Sequence, residues 1–321
     1  MLQSVIRNPS QAAIGEIKSV ILRSKTLAPV VLFAVLFLVQ FSLAQNTTAP
    51  KEQTTNPVAT PSPVAKDTKA KDSKAKAKDE KAQTAAQALN AKDSKAPITG
   101  EAVAESTIYI YGLGGGRAVL NQIRKTALER GKISVTNAEG VTDQATYARW
   151  TQRADTLSKE KIRLDQEFPN ARYSLVFNDE KIFGIFNDSV FTPREDASKA
   201  FENQIVHGLE ALLRYKENES KLDYTGKEKI LGVEYHILDV IDKQERRTRY
   251  YISAKTFRVM MLDYAQDGVK YKRKFYDYNY AQGTLVPYRS ALYAGDKLVE
   301  ETEVGTVTFG QKIDEAIFRA G

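Results

Sequence analysis

Apolar residues recur along this chain with two different periods, and the switches between them mark out its elements. Beyond Gly131 the period is mostly two, as in strands with one buried face. The alternation predicts strands over Thr146–Gln152, Lys159–Leu164, Arg172–Phe177, Lys181–Phe186 and Val233–Ile241. It continues over Thr248–Ser253, Arg258–Tyr264, Val269–Tyr278, Leu285–Tyr293 and Leu298–Phe309. Asp267-Gly268 and Gly295-Asp296 stand where tight hairpin turns are needed, because these residue types tolerate positive φ. One helix interrupts the strands from Arg194 to Tyr215, with Phe201, Ile205, Leu209, Leu212 and Leu213 on a single stripe that must lie on the sheet. A short helix is expected over Ile313–Phe318. About ten sequential antiparallel strands with few helices predict an α+β architecture around a curved sheet.

Upstream, Ser106–Tyr111 mimics a strand and runs through Gly112, Gly114, Gly115 and Gly116 into an apolar-periodic segment. A dinucleotide-binding turn would need a third glycine at position 117, where Arg117 stands. The glycines are therefore read as a break before a helix from Arg117 to Arg130, with Val119, Leu120, Ile123 and Ala127 on one face.

The first third of the chain has a different character. Arg7, Lys18, Arg23 and Lys25 precede the apolar run from Leu27 to Val39, and Ser42-Leu43-Ala44 supplies the small residues of a cleavage site. Residues 1–44 are thus expected to be a signal peptide. An uncleaved N-terminal membrane anchor is the alternative, although the run falls short of the roughly 20 apolar residues that span a bilayer. Residues 45–98, rich in Ala, Lys, Asp, Pro and Thr, hold almost no large apolar side chain to offset ordering entropy, and predict a disordered linker. That leaves 99–321 as one folded domain, exported to the bacterial periplasm or cell envelope.

Chemistry narrows the picture by being scarce. The chain has no cysteine and two histidines, His207 and His236, neither in a metal-ligand pattern, so no metal site and no cofactor is expected. The net charge of +7 comes largely from the N-terminal segment and linker, and the folded part mixes both signs, which argues against nucleic-acid binding. Glu300 and Glu301, neighbours on a strand, point to opposite faces, cannot converge on one substrate and are read as surface. No catalytic residue is proposed, and the protein is not expected to be an enzyme. Aromatic density is the salient feature. Tyr173, Leu175 and Phe177 share one strand face, Phe183 and Ile185 share another, and Tyr276, Tyr278 and Tyr280 a third. These residues either pack a filled β core or wall an apolar pocket for an acyl chain.

The segments Val233–Val240, Arg249–Val259, Phe275–Tyr278, Gly283–Pro287 and Ile313–Phe318, with the early Gly115-Gly116-Arg117-Ala118, resemble the LolA/LolB-like outer-membrane lipoprotein-sorting superfamily over nearly all of residues 103–321. The resemblance implies an unclosed β-barrel with helices on its concave face. It also implies non-covalent carriage or docking of lipids or lipoproteins through their acyl chains, with envelope proteins as further partners and membrane contact at the N-terminus if the apolar segment stays attached. Phe201, Ile205, Leu209 and Leu213 would then form the inner face of a lid, with Tyr173, Leu175, Phe177, Phe183, Ile185, Tyr276 and Tyr278 as the wall. Arg149, Arg163 and Arg172 are all candidates, by location, for the carriers' lid-locking arginine, and the sequence singles out none. The alternative is a non-catalytic envelope interaction or scaffold domain with a filled core.

Overall fold

A computed structural model describes residues 97–137 and 139–319. The expected signal or anchor, and nearly all of the expected linker, lie outside the described residues. The domain opens with helix α1 (Gly100–Tyr111), whose first turn is capped by Thr99 Oγ1 accepting the Ala102 N–H at 3.1 Å. Its buried residues Val103, Ala104, Thr107, Ile108 and Tyr111 fall at helical spacing. The strand-like look of Ser106–Tyr111 is therefore a coincidence of two apolar residues, Ile108 and Ile110, two apart. Helix α2 (Gly116–Ile123) follows a turn at Leu113 and Gly114, both at positive φ.

Thirteen strands then form one antiparallel sheet. They are β1 (Thr126–Thr136), β2 (Thr142–Gln152), β3 (Lys161–Phe168), β4 (Ala171–Asn178), β5 (Lys181–Phe186), β6 (Ser189–Phe191), β7 (Lys221–Ile230), β8 (Val233–Ile241), β9 (Arg247–Ser253), β10 (Val259–Gln266), β11 (Val269–Ala281), β12 (Thr284–Ala294) and β13 (Lys297–Phe309). The order is β6-β5-β4-β3-β2-β1-β13-β12-β11-β10-β9-β8-β7, two meanders joined by the ladder between the first strand and the last. Strands β6 and β7 remain the two edges, so the sheet is not closed. Between them the chain crosses as helices α3 (Glu195–Val206) and α4 (Leu209–Leu213).

The sequence reading undercounts the strands at three places. The predicted helix over 117–130 ends at Ile123, and residues from Thr126 enter β1, because pairing on both sides, with β2 and β13, satisfies their backbone more fully than a frayed helix end would. Strand β6 has only three residues, and β7 is a largely polar edge strand interrupted by a bulge at Gly226, so neither shows clear apolar alternation. The expected helix from Arg194 to Tyr215 breaks at His207-Gly208, and the terminal helix is a single 3-10 turn, Glu315–Phe318. That turn packs on β3 and β4, with Phe318 fully buried.

Bulges bend the sheet. At Arg130/Gly131 the register of β1 against β13 shifts, and a Cβ on Gly131 would lie 2.0 Å from the Glu303 carbonyl oxygen, so only glycine allows this approach. Buried side chains form two main clusters on the helix-bearing face. One lies beneath α1 and α4 and extends across β8–β12, and the other joins α3 to β1–β4. No helix among the described residues is long and apolar enough to cross a membrane.

Candidate functional site

Between α3, α4 and the sheet lies a cavity of about 250 Å³, with a smaller one of about 80 Å³ beside it. The larger is lined from β3, β2, β1, β13, β12, β11 and β10, by residues such as Ile162, Arg149, Ile133, Thr302, Ser290, Phe275 and Tyr264. In a flat sheet these seven strands would spread over roughly 29 Å, at about 4.8 Å per interstrand step. Lining one small cavity requires the sheet to curve around it. The two cavities share Ile133, Leu164, Gln204 and Glu300 in their walls.

The roof is fixed at the break between α3 and α4. The His207 ring stacks on Tyr264 at 4.2 Å, and its Nδ1 is 2.6 Å from Thr248 Oγ1. Tyr250 Oη donates to the Gly208 carbonyl at 2.7 Å. Burial, aided by nearby Arg246, pushes the His207 imidazole down to about 4. Burial, with Lys227, does the same to His236, which pairs with Tyr224 Oη at 2.9 Å on the other half of the sheet. Below pH 6.5 the unfolded chain takes up protons that the folded histidines refuse, so stability is lost as pH falls from about 6.5 towards about 4. The melting temperature is expected to fall between pH 7 and about pH 4.5, and His207→Gln to narrow that fall. An equal fall in the variant would remove His207 as a cause.

Charge is concentrated in the walls. Glu210, on α4, accepts from Arg124 Nη1 at 2.6 Å and pairs also with Arg153. Arg124 is held in turn by Thr284 Oγ1 at 2.9 Å and the Leu285 carbonyl at 2.7 Å. Burial alone would raise the Glu210 carboxyl, but the Arg153 and Arg124 guanidinia outweigh it and hold it below its ordinary value. Glu300 accepts from Arg273 at 2.8 Å and from Gln204 of α3 at 3.2 Å. Glu160 pairs with Arg214 in near-complete burial. Glu129 accepts the Tyr147 hydroxyl at 2.7 Å. Glu300, read from the sequence as surface, is thus an inward-facing partner tying α3 to the sheet.

The predicted site residues divide. Ile205 and Leu209 line the larger cavity, and Tyr173, Leu175 and Phe201 line the smaller. Phe177 belongs to the packed cluster under α3, and Leu213 to the packed cluster under α1 and α4, neither lining a cavity. Phe183 and Ile185 pair with Val176 and Ser174, which puts them on the opposite face from Leu175 and Phe177. Ile182 takes the inward place instead. Positive φ at Asp277, 53°, breaks the alternation of β11 without shifting its register against β12. Tyr278 therefore turns to the core, where its hydroxyl meets that of Tyr111 at 3.0 Å, whereas Tyr276 faces outward beneath the Arg289 guanidinium.

Of the three candidate arginines, Arg149 faces the cavity. Arg163 lies on the other face, bonded to Asp165 and the Ile317 carbonyl, and Arg172 is exposed. The side chains that tie α4 to the sheet, Arg124, Arg153 and Glu210, escape the sequence reading. The only signal was Glu210 interrupting the apolar run Leu209–Leu213, and without its partners it looks like any solvated helix residue.

A single curved antiparallel sheet, open between its edge strands and bearing helices over an internal cavity, has counterparts among solved structures. The fold is shared with a LolA superfamily protein. That protein, from Nitrosomonas europaea, superposes with a TM-score of 0.51 at 10% identity, over 70% of this chain and 98% of its own. A DUF1329 family protein from Desulfovibrio piger gives a TM-score of 0.46 at 13% identity, over 61% of this chain and 90% of its own. No protein-family model matches the chain, and no curated protein is significantly similar to it in sequence. At these identities the likeness speaks for the fold alone.

Proposed function

We propose that this protein is an exported, non-catalytic carrier or docking protein of the bacterial cell envelope that takes an acyl chain of a lipid or lipoprotein into the space beneath α3 and α4. The observation that carries this reading is the unfilled space itself. It is lined by Ile133, Ile162, Leu164 and Ile205, which also belong to the buried cluster under α3, and by Leu209 of the roof. Burying a chain there would gain about 0.8 kcal/mol for each CH₂ removed from water. At about 250 Å³ the space lies just under the range of roughly 300–1,000 Å³ that holds drug-sized ligands, which suits one chain rather than three. The superfamily likeness agrees with such a role at the level of fold.

The ion pairs in the cavity wall favour a second reading, an envelope interaction domain whose interior is held by charge and takes up nothing. Native mass spectrometry of the full chain, purified from a bacterial envelope under lipid-retaining conditions, separates the two. The carrier reading expects an added mass equal to one lipid or acylated peptide. The interaction-domain reading expects the bare chain, and no uptake of added lipid.

A further inference from the structure

Arg149 stands apart from every other charged side chain in the cavity wall. On β2 it lies between Glu129 of β1 and Leu164 of β3, directly opposite both in the two ladders. Glu129, its cross-strand carboxylate, is engaged by the Tyr147 hydroxyl. The other charged groups around it, Glu210 and Arg273, are committed to Arg124 and Arg153 and to Glu300 respectively. Among the described residues, Arg149 has neither a hydrogen bond nor an ion pair, and burial holds its guanidinium below the ordinary arginine range, offset in part by Glu129. The cavity wall holds four arginines, Arg124, Arg149, Arg153 and Arg273, and four glutamates, Glu129, Glu160, Glu210 and Glu300, of which Glu160 is taken up by Arg214 from outside the wall. An arginine turned into a confined space without a partner is costly unless an anion completes it.

An apolar path starts beside it. Leu164 and Ile133 belong to both cavities, and the smaller continues from them to Leu175 and Phe201. We propose that Arg149 is the head-group site for a single-chain amphiphile with an anionic end, a carboxylate or a phosphate, whose chain runs over Leu164 and Ile133 towards Leu175 and Phe201. This rests on the carrier reading and narrows its cargo. The guanidinium fork suits either oxyanion, since both accept paired N–H bonds.

The test is calorimetric titration of the full chain with dodecanoate, dodecyl phosphate and uncharged 1-dodecanol, for the wild type, Arg149→Gln and Arg149→Lys. The wild type is expected to bind at least one of the anionic ligands about tenfold or more tightly than the alcohol. Whichever anion binds tighter identifies the head. Arg149→Gln should lose that preference while keeping alcohol binding, and Arg149→Lys should retain part of it. Because Arg149 makes no hydrogen bond or ion pair within the protein, the melting temperature of Arg149→Gln should be unchanged or higher. Equal binding of acid and alcohol by the wild type, or an undiminished preference in Arg149→Gln, would overturn the assignment while leaving acyl carriage standing. A marked drop in the melting temperature of Arg149→Gln would make Arg149 a structural residue and overturn it too. If none of the three ligands binds, the carrier reading itself fails.

Discussion

Replacing Glu210 with alanine is expected to destabilise the domain strongly. Its carboxylate compensates two buried guanidinia, Arg124 and Arg153, and without it both are left in a confined site with their charges uncancelled. Removing one partner of a buried ion pair costs roughly 3–5 kcal/mol. In a domain of this size that corresponds to roughly 6–20 °C in melting temperature. The same site makes the domain acid-sensitive. The Glu210 carboxyl is held below its unfolded value of 4.5, so its contribution is present above that pH and fades as pH falls through the lower folded value. Glu210→Gln keeps an acceptor and should fall between alanine and wild type. A thermal shift of less than about 2 °C for Glu210→Ala would mean that Arg124 and Arg153 are hydrated or rearranged rather than neutralised by α4.

Blocking the cavity should abolish cargo uptake without harming the fold. Thr302 sits on β13 between Ile133 and Ser290 in the floor of the larger cavity. Phenylalanine at this position would project into unfilled space, where added bulk gains contacts instead of displacing packed neighbours. If it excludes three methylenes of a bound chain, at about 0.8 kcal/mol each, affinity should drop roughly fiftyfold. The melting temperature of Thr302→Phe should equal or exceed that of the wild type. A stable variant that still binds acyl chains at full affinity would place the chain elsewhere on the molecule.

The fold was largely legible in the sequence because most strands here carry one buried face. Lys181–Phe186 and Val233–Ile241 begin and end where their alternation does. What could not be read was set by partners distant in sequence. Residues from Thr126 become strand because β13, about 180 residues later, pairs with them, and no local pattern announces that ladder. The helix over the cavity breaks at Gly208, where the Tyr250 hydroxyl takes its carbonyl. Aromatic faces were misjudged where positive φ breaks the alternation, as at Asp277, or where two adjacent strands were read without their register, as for Phe183 against Leu175. Apolar residues announce themselves by period, and Ile205 and Leu209, picked out that way, line the larger cavity. The charged wall was not, since an arginine on a strand reads the same whether it meets solvent or an internal glutamate. Its meaning appears only when Glu210 and Arg153, far apart in the chain, come together.

The most direct test of acyl carriage is the mass of the native protein. Native mass spectrometry of the full chain under lipid-retaining conditions should show an adduct of one lipid or acylated peptide per chain, absent from Thr302→Phe. A bare mass for the wild type, unchanged after incubation with excess lipid, would contradict the account and leave the curved sheet with its ion-paired interior as an interaction domain.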